Sequence, residues 1–224
     1  MDISNPILLL KKVNYYIKTG ETELKILENI NLSINATSSL AITGPSGSGK
    51  SSLLSIMAGL LLPTSGEVYF KGKDITFLDE SKRAKMRANK VGFIFQSFEL
   101  LPNLTALENI LLPLEINQHK NQKTRAMHWL ENVGLKNRAN HYPCELSGGE
   151  QQRIAIARAF VTEPNIVFAD EPTGSLDKIT AQQITELLFK ANQKQATTLV
   201  IVTHDKKLAN CCNSEWSLVD GKIQ

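Results

Sequence analysis

Gly44-Pro45-Ser46-Gly47-Ser48-Gly49-Lys50-Ser51 sets two glycines, a lysine and a serine at the spacing G-x-x-x-x-G-K-[ST], with a third glycine between them. Between a strand and a helix, that spacing makes a phosphate cradle. The glycines let the backbone curl so that successive N–H groups point inward, and the helix start adds its positive end. The pattern assigns the β- and γ-phosphates of a nucleotide to Lys50 and a Mg2+ ion to the Ser51 hydroxyl. The alternative, a flexible Gly/Ser turn, explains neither the lysine nor the flanking elements.

Two further groups are candidates for chemistry. The apolar run Ile166-Val167-Phe168-Ala169 ends in Asp170 and Glu171. Asp170 is placed to reach Mg2+, and Glu171 to polarise a water that attacks the γ-phosphate. On its own such a pair is equally a solvated strand end; downstream of a phosphate loop it points to turnover. Ser147-Gly148-Gly149-Glu150 reads as a capping box, with serine at the N-cap and glutamate at N3. That reading leaves two consecutive glycines unexplained, since each costs about 1 kcal/mol in a helix relative to alanine. Glycine suits places where a ligand approaches the backbone closely. A second anion site is therefore expected about a hundred residues beyond the first. One nucleotide meets both only if the fold joins them or a second copy supplies one.

The elements that must position these residues alternate. Strands are expected at 7–10, 26–34, 40–43, 67–70, 91–95, 166–169, 198–203 and 216–219, and helices at 50–60, 78–88, 123–133, 150–161 and 178–192. Short apolar strands alternating with helices predict an α/β fold with a buried, mostly parallel sheet. The helix-poor stretch 7–34 predicts a flanking antiparallel sheet. Residues 104–160 hold helices without a convincing strand, which predicts an inserted α-helical subdomain. Asp220-Gly221 is a hairpin signal.

With these residues in place, Leu146-Ser147-Gly148-Gly149-Glu150-Gln151 resembles the signature of ABC ATPases, and residues 7–224 resemble an ABC nucleotide-binding domain. The resemblance implies a P-loop NTPase core (1–96 and 161–224) with a helical subdomain at 97–160. It implies that ATP and Mg2+ are bound by Gly44, Pro45, Ser46, Gly47, Ser48, Gly49, Lys50, Ser51 and Ser52. Gln96 matches the glutamine that senses the γ-phosphate and completes the metal site with Ser51 and Asp170. Glu171, His204 and Lys50 take the catalytic roles, Pro172 matches the hinge, and Ser175-Leu176-Asp177 matches the loop crossing a dimer interface. Ser147, Gly148 and Gly149 are implied to cap the ATP of a second, head-to-tail copy. The adenine contact departs from the family: Ile17 stands where many members carry an aromatic ring, leaving Tyr16 or Ile17 to meet the base.

The segments Gly92-Phe93-Ile94-Phe95-Gln96-Ser97-Phe98-Glu99-Leu100-Leu101-Pro102 and Thr105-Ala106-Leu107-Glu108-Asn109-Ile110 are similar to the branch of LolD and MacB, and most of all to YbbA-type ATPases. That branch implies an integral-membrane permease as partner, and a place in the cytoplasm on the inner face of the cell membrane. Phe98, Leu100, Leu101 and Leu104 form an apolar cluster that suits either a docking partner or the core of the helical subdomain. The rival is a soluble ABC ATPase acting on nucleic acid or ribosomes. One cassette without a long coiled-coil insertion opposes it, and no nucleic-acid partner is expected.

Composition sets broad limits. At 224 residues, 42 % of them apolar and 21 % charged, the chain can bury roughly 70 % of its unfolded surface without disulfides. A net charge of +3 is too small to argue for nucleic acid. No apolar run nears the roughly 18 residues needed to span a bilayer. The N-terminal residues lack a signal-peptide pattern, and the chain is expected to have no C-terminal regulatory domain. Cys144, Cys211 and Cys212 have no metal or disulfide spacing.

Overall fold

The computed structural model describes residues 6–20 and 22–224, which divide into two compact units. Residues up to Arg87 with Thr198–Gln224 form the first, and Ala88–Thr197 the second.

In the first unit, β1 (Leu8–Thr19) and β2 (Thr22–Ile34) form a long antiparallel hairpin extended by β4 (Ser65–Phe70) and β5 (Lys73–Asp74), in the order β2-β1-β4-β5. This is the flanking sheet expected from the sequence, but β1 runs nine residues past Leu10. The extension bends through register shifts around Val13 and Tyr15, with Lys12 and Asn29 in left-handed backbone. Bulges leave polar groups unpaired, and the Asn14 side chain takes them up. Its amide donates to the Lys12 carbonyl (2.9 Å) and to Ser65 Oγ (3.0 Å), and its oxygen accepts from the Asn29 N–H (2.8 Å).

The same unit holds β3 (Ser39–Thr43), parallel to both β8 (Thr198–Val202) and β9 (Ser214–Val219), with β10 (Lys222–Ile223) antiparallel to β9. Every residue of β8 and the first four of β3 are buried, as continuous apolar runs in a covered parallel sheet should be. Helix α1 (Lys50–Met57) lies against β8, and α2 (Glu80–Lys90) follows β5. Asp220 and Gly221 both take left-handed backbone, as the two-residue turn requires. The turn packs on β2: Glu28 N–H donates to the Gly221 carbonyl at 2.8 Å.

The second unit pairs β6 (Val91–Ile94) in parallel with β7 (Ile166–Asp170), in register from Val91 opposite Ile166 to Ile94 opposite Ala169. Helix α5 (Gly148–Phe160) packs on β6, and α3 (Ala106–Ile116), α4 (Gln122–Asn132) and α6 (Lys178–Gln195) pack against α5. The expected helical subdomain contained neither strand; here both group with the helices, because α5 lies directly on β6. Phe160 and Phe168 are completely buried and Trp129 stacks on Phe160 at 5.9 Å. Asn109, also fully buried, ties the 101–105 loop to α3: its amide donates to the Leu104 and Thr105 carbonyls (both 3.0 Å) and its oxygen accepts from the Leu101 N–H (2.8 Å). Among the described residues no helix is long and apolar enough to cross a membrane.

Candidate functional site

The phosphate loop leaves β3 at Thr43 and enters α1 at Lys50. Two of its glycines, Gly44 and Gly49, are required sterically. A Cβ on Gly44 would lie 2.1 Å from the Leu218 carbonyl oxygen, and one on Gly49 would lie 2.8 Å from that of Ile26. Both glycines have positive φ, 147° and 98°, a region costly for other residues. Gly49 is the N-cap of α1 and provides no side-chain cap. The first N–H groups of α1 are therefore available to an anion at the positive end of the helix. Lys50 lies folded over the loop, its Nζ donating to the carbonyls of Gly44 (2.9 Å) and Pro45 (2.7 Å). The Ser48 hydroxyl is buried without a hydrogen-bond partner. Ser51 is exposed and Ser52 half-buried on the first turn.

His204 leaves β8 at the same edge. Ile42 stands opposite Val202 in the parallel register, so the residues following β3 and β8 emerge side by side at the carboxyl ends, where open α/β sheets bind ligands. The Thr203 N–H donates to the Ile42 carbonyl (3.1 Å), and Thr203 Oγ1 accepts from the Asp205 N–H (3.0 Å), fixing the turn that exposes His204.

In the second unit the register of β6 and β7 brings Gln96 and the pair Asp170, Glu171 to one edge in the same way. Glu171 adopts left-handed backbone, φ 44°. The turn that follows is closed by Gly174 N–H donating to the Glu171 carbonyl (3.0 Å) and by the Ser175 hydroxyl donating to the Gln96 carbonyl (3.3 Å). A Cβ on Gly174 would come within 3.2 Å of Gln96 Nε2. Gln96 and the 171–175 turn are thus in direct contact.

Helix α5 opens on the expected capping box. Ser147 Oγ accepts from the Glu150 N–H (3.3 Å), and Glu150 Oε2 accepts from the Ser147 N–H (2.8 Å) and hydroxyl (2.9 Å). The glycines divide in role. A Cβ on Gly149 would sit 2.6 Å from Thr180 Cγ2, so close packing against α6 demands that glycine. A Cβ on Gly148 meets only Phe98 and Leu176 at 3.5 Å or more, so packing does not require a glycine there. The Ser147 N–H holds the Glu150 carboxyl below the usual range, aided by the Ser147 hydroxyl and by Arg138, whose Nε lies 3.3 Å away. The cap binds the carboxylate, so its stabilisation is complete above the ordinary Glu value of about 4.3 and is lost as pH falls through the lowered folded value. Glu150→Gln is expected to lower Tm at pH 7 by no more than about 4 °C, the shift that about 1 kcal/mol gives in a chain of this size. The difference from wild type should shrink as pH falls through and below the ordinary Glu range, and a gap independent of pH would exclude the cap as its source.

Tyr16 is half-buried in β1 with its hydroxyl on Asn14 Oδ1 (3.2 Å) and Lys25 Nζ 6.0 Å from its ring; Ile17, the next residue, is 42 % exposed. Phe98 and Leu104 are half-buried, with the Phe98 ring against Gly148, whereas Leu101 is exposed. The cluster therefore packs partly beneath the signature turn. A separate cavity of about 300 Å3 is lined by Phe93, Phe95, Leu112, Pro113 and Ile116, with Arg158 at its wall. Burial and the neighbouring Cys211 push the Cys212 thiol up to about 12.

Two residues of α5 escaped the sequence reading. Arg158 Nη2 donates to the Phe98 carbonyl (2.9 Å) and Nη1 to that of Glu99, holding two consecutive left-handed residues just after Gln96. Gln152 Nε2 donates to the Pro172 carbonyl at 2.6 Å. Arg and Gln beside a signature look like helix surface in one dimension.

The model of the family described as ABC transporter matches residues 27–174. The chain is similar to the ABC transporter ATP-binding protein YbbA of Escherichia coli K12, 49 % identical over 207 residues that cover 92 % of this chain and 91 % of that protein. It is 43 % identical over 226 residues to the lipoprotein-releasing system ATP-binding protein LolD of Alcanivorax borkumensis, covering 100 % and 99 %. Among solved structures, the ATP-binding cassette MJ0796, in a dimeric post-hydrolysis state bound to ADP and Pi, superposes with a TM-score of 0.90 at 42 % identity, covering 97 % of this chain and 96 % of that one. The LolD and YbbA branch expected from residues 92–102 is the one these relatives occupy. With likeness running along almost the whole length of each relative, the chain belongs to the ABC transporter family, as one of its ATP-hydrolysing, ATP-binding subunits.

Proposed function

We propose that two copies of this subunit close head to tail on ATP and that the closing and opening drive a separate integral-membrane permease from the cytoplasmic face. One observation carries the pairing. A single chain presents two helix starts suited to anions, the uncapped N–H groups after Gly49 and the turn at Ser147 and Gly148. A γ-phosphate held by Gly44 to Ser52 leaves the second start to the ATP of another copy, and the related cassette MJ0796 is dimeric in its post-hydrolysis state.

In this reading Lys50 binds the β- and γ-phosphates, and loop N–H groups orient them in line with an attacking water. Glu171 accepts a proton from that water, and His204 contacts the γ-phosphate and keeps the water aligned. Gln96 reports the γ-phosphate to the loop that Arg158 clamps. Ser147, Gly148 and Gly149 close over the partner copy's ATP. Ser51, Gln96 and Asp170 offer only oxygen donors, few enough to leave places for phosphate and water, which is the set Mg2+ prefers. Held there, Mg2+ would neutralise negative charge on the nucleotide's phosphates.

The cavity beside Phe93 and Phe95 is the docking place we assign to a short permease helix, with Ile116, 67 % exposed, at its rim. Purification of the tagged chain from detergent-solubilised membranes tests this. A multi-spanning protein should co-purify, and Ile116→Glu should cut its recovery by about 10-fold or more while ATP hydrolysis by the free subunit stays unchanged. Ribosomes or DNA in place of a membrane protein would contradict the reading.

A further inference from the structure

One residue of α5 has no part in the hydrolysis machinery above, yet it reaches that machinery. Gln152 stands between the signature turn and the apolar residues Ile154, Ala155 and Ile156, and it is completely buried. A buried amide is tolerated when both its ends are hydrogen-bonded. Gln152 meets half of that condition: Nε2 donates to the Pro172 carbonyl, and Oε1 has no hydrogen-bond partner. For packing alone, methionine would fill the volume without desolvating an amide oxygen. What the amide adds is a grip on the Pro172 carbonyl.

That carbonyl lies one residue beyond Glu171. The left-handed backbone of Glu171 is sparsely populated for a residue with a Cβ, the more so before a proline. Such a conformation persists where its surroundings over-determine it. The bonds from Gly174 and Ser175 tie the turn to itself and to Gln96; the bond from Gln152 ties it to α5.

We infer that Gln152 is a positioning residue for Glu171. By holding the Pro172 carbonyl it fixes the chain just after Glu171 and hence where the Glu171 carboxylate stands. Because Gln152 lies a little over one turn into a helix that begins at Gly148, the same bond carries a displacement of the signature turn to the hinge. The inference rests on Glu171 as the general base.

Gln152→Met keeps the volume and removes the donor. It should lower kcat by about 10-fold or more, as misplacement of a reacting group does, with KM for ATP within about twofold of wild type. Added to Glu171→Gln it should cost nothing further in single-turnover hydrolysis, since no base is left to position. Gln152→Glu restores a donor only when protonated, so its turnover relative to wild type should rise as pH falls, whereas the Met variant's ratio stays flat. If the Met variant does not fold, that pH dependence carries the test. Wild-type kcat in Gln152→Met, or losses that multiply in the double variant, would reduce Gln152 to packing. Near-normal turnover by Glu171→Gln would instead overturn the base itself, and the role of Gln152 with it.

Discussion

Replacing Glu171 with glutamine is expected to lower ATP turnover on the order of 10²- to 10⁴-fold, the range for loss of a general base, while ATP still binds. The substitution keeps the size of the side chain and its ability to accept a hydrogen bond, and removes only the negative charge and proton affinity. Glu171 follows β7 at the edge where Gln96 also emerges, and its backbone is fixed by the Gly174 bond and the Pro172 contact. None of these bonds is made by the carboxylate. Nucleotide binding measured by titration and turnover measured by phosphate release should separate cleanly. A variant that hydrolyses ATP at near the wild-type rate removes Glu171 from the role.

Lys50→Ala should act on the other side of that division, weakening ATP binding itself by roughly 10- to 200-fold. This corresponds to the roughly 1.5–3 kcal/mol contributed by a hydrogen bond to a charged group. Lys50 brings an ammonium to the loop mouth, where carbonyls of Gly44 and Pro45 already orient it. The loop's N–H groups remain in the variant, so binding should weaken and persist at high ATP. Unchanged affinity would count against the phosphate-loop assignment.

How much of this was legible in the sequence followed from how local each determinant is. The phosphate loop could be read because its lysine, serine and glycines lie within eight consecutive residues, and the strand and helix on either side have plain apolar patterns. The carboxylates of Asp170 and Glu171 were legible for the same reason. The strand β1 was cut short because the bulges around Lys12 and Asn14 break the two-residue alternation that marks a strand. Nothing before the fold shows that Asn14 will satisfy the backbone there. The sequence accounts for Gly149 by room for a ligand and is silent on its second constraint, the approach of Thr180 on a helix that only tertiary packing brings near. Gln152 and Arg158 were missed because each acts on backbone carbonyls, of Pro172 and of Phe98 and Glu99. A carbonyl has no signature in sequence. The grouping of β6 and β7 with the helices likewise depends on α5 lying on β6, a contact between residues far apart in the chain.

The central claim is that one ATP is shared by two copies. Light scattering of the Glu171→Gln variant with and without MgATP tests it most directly. The variant should be monomeric without nucleotide and shift to a dimer at saturating MgATP, and Gly148→Asp added to it should abolish the shift while leaving ATP binding intact. A chain that stays monomeric with ATP bound would contradict the account.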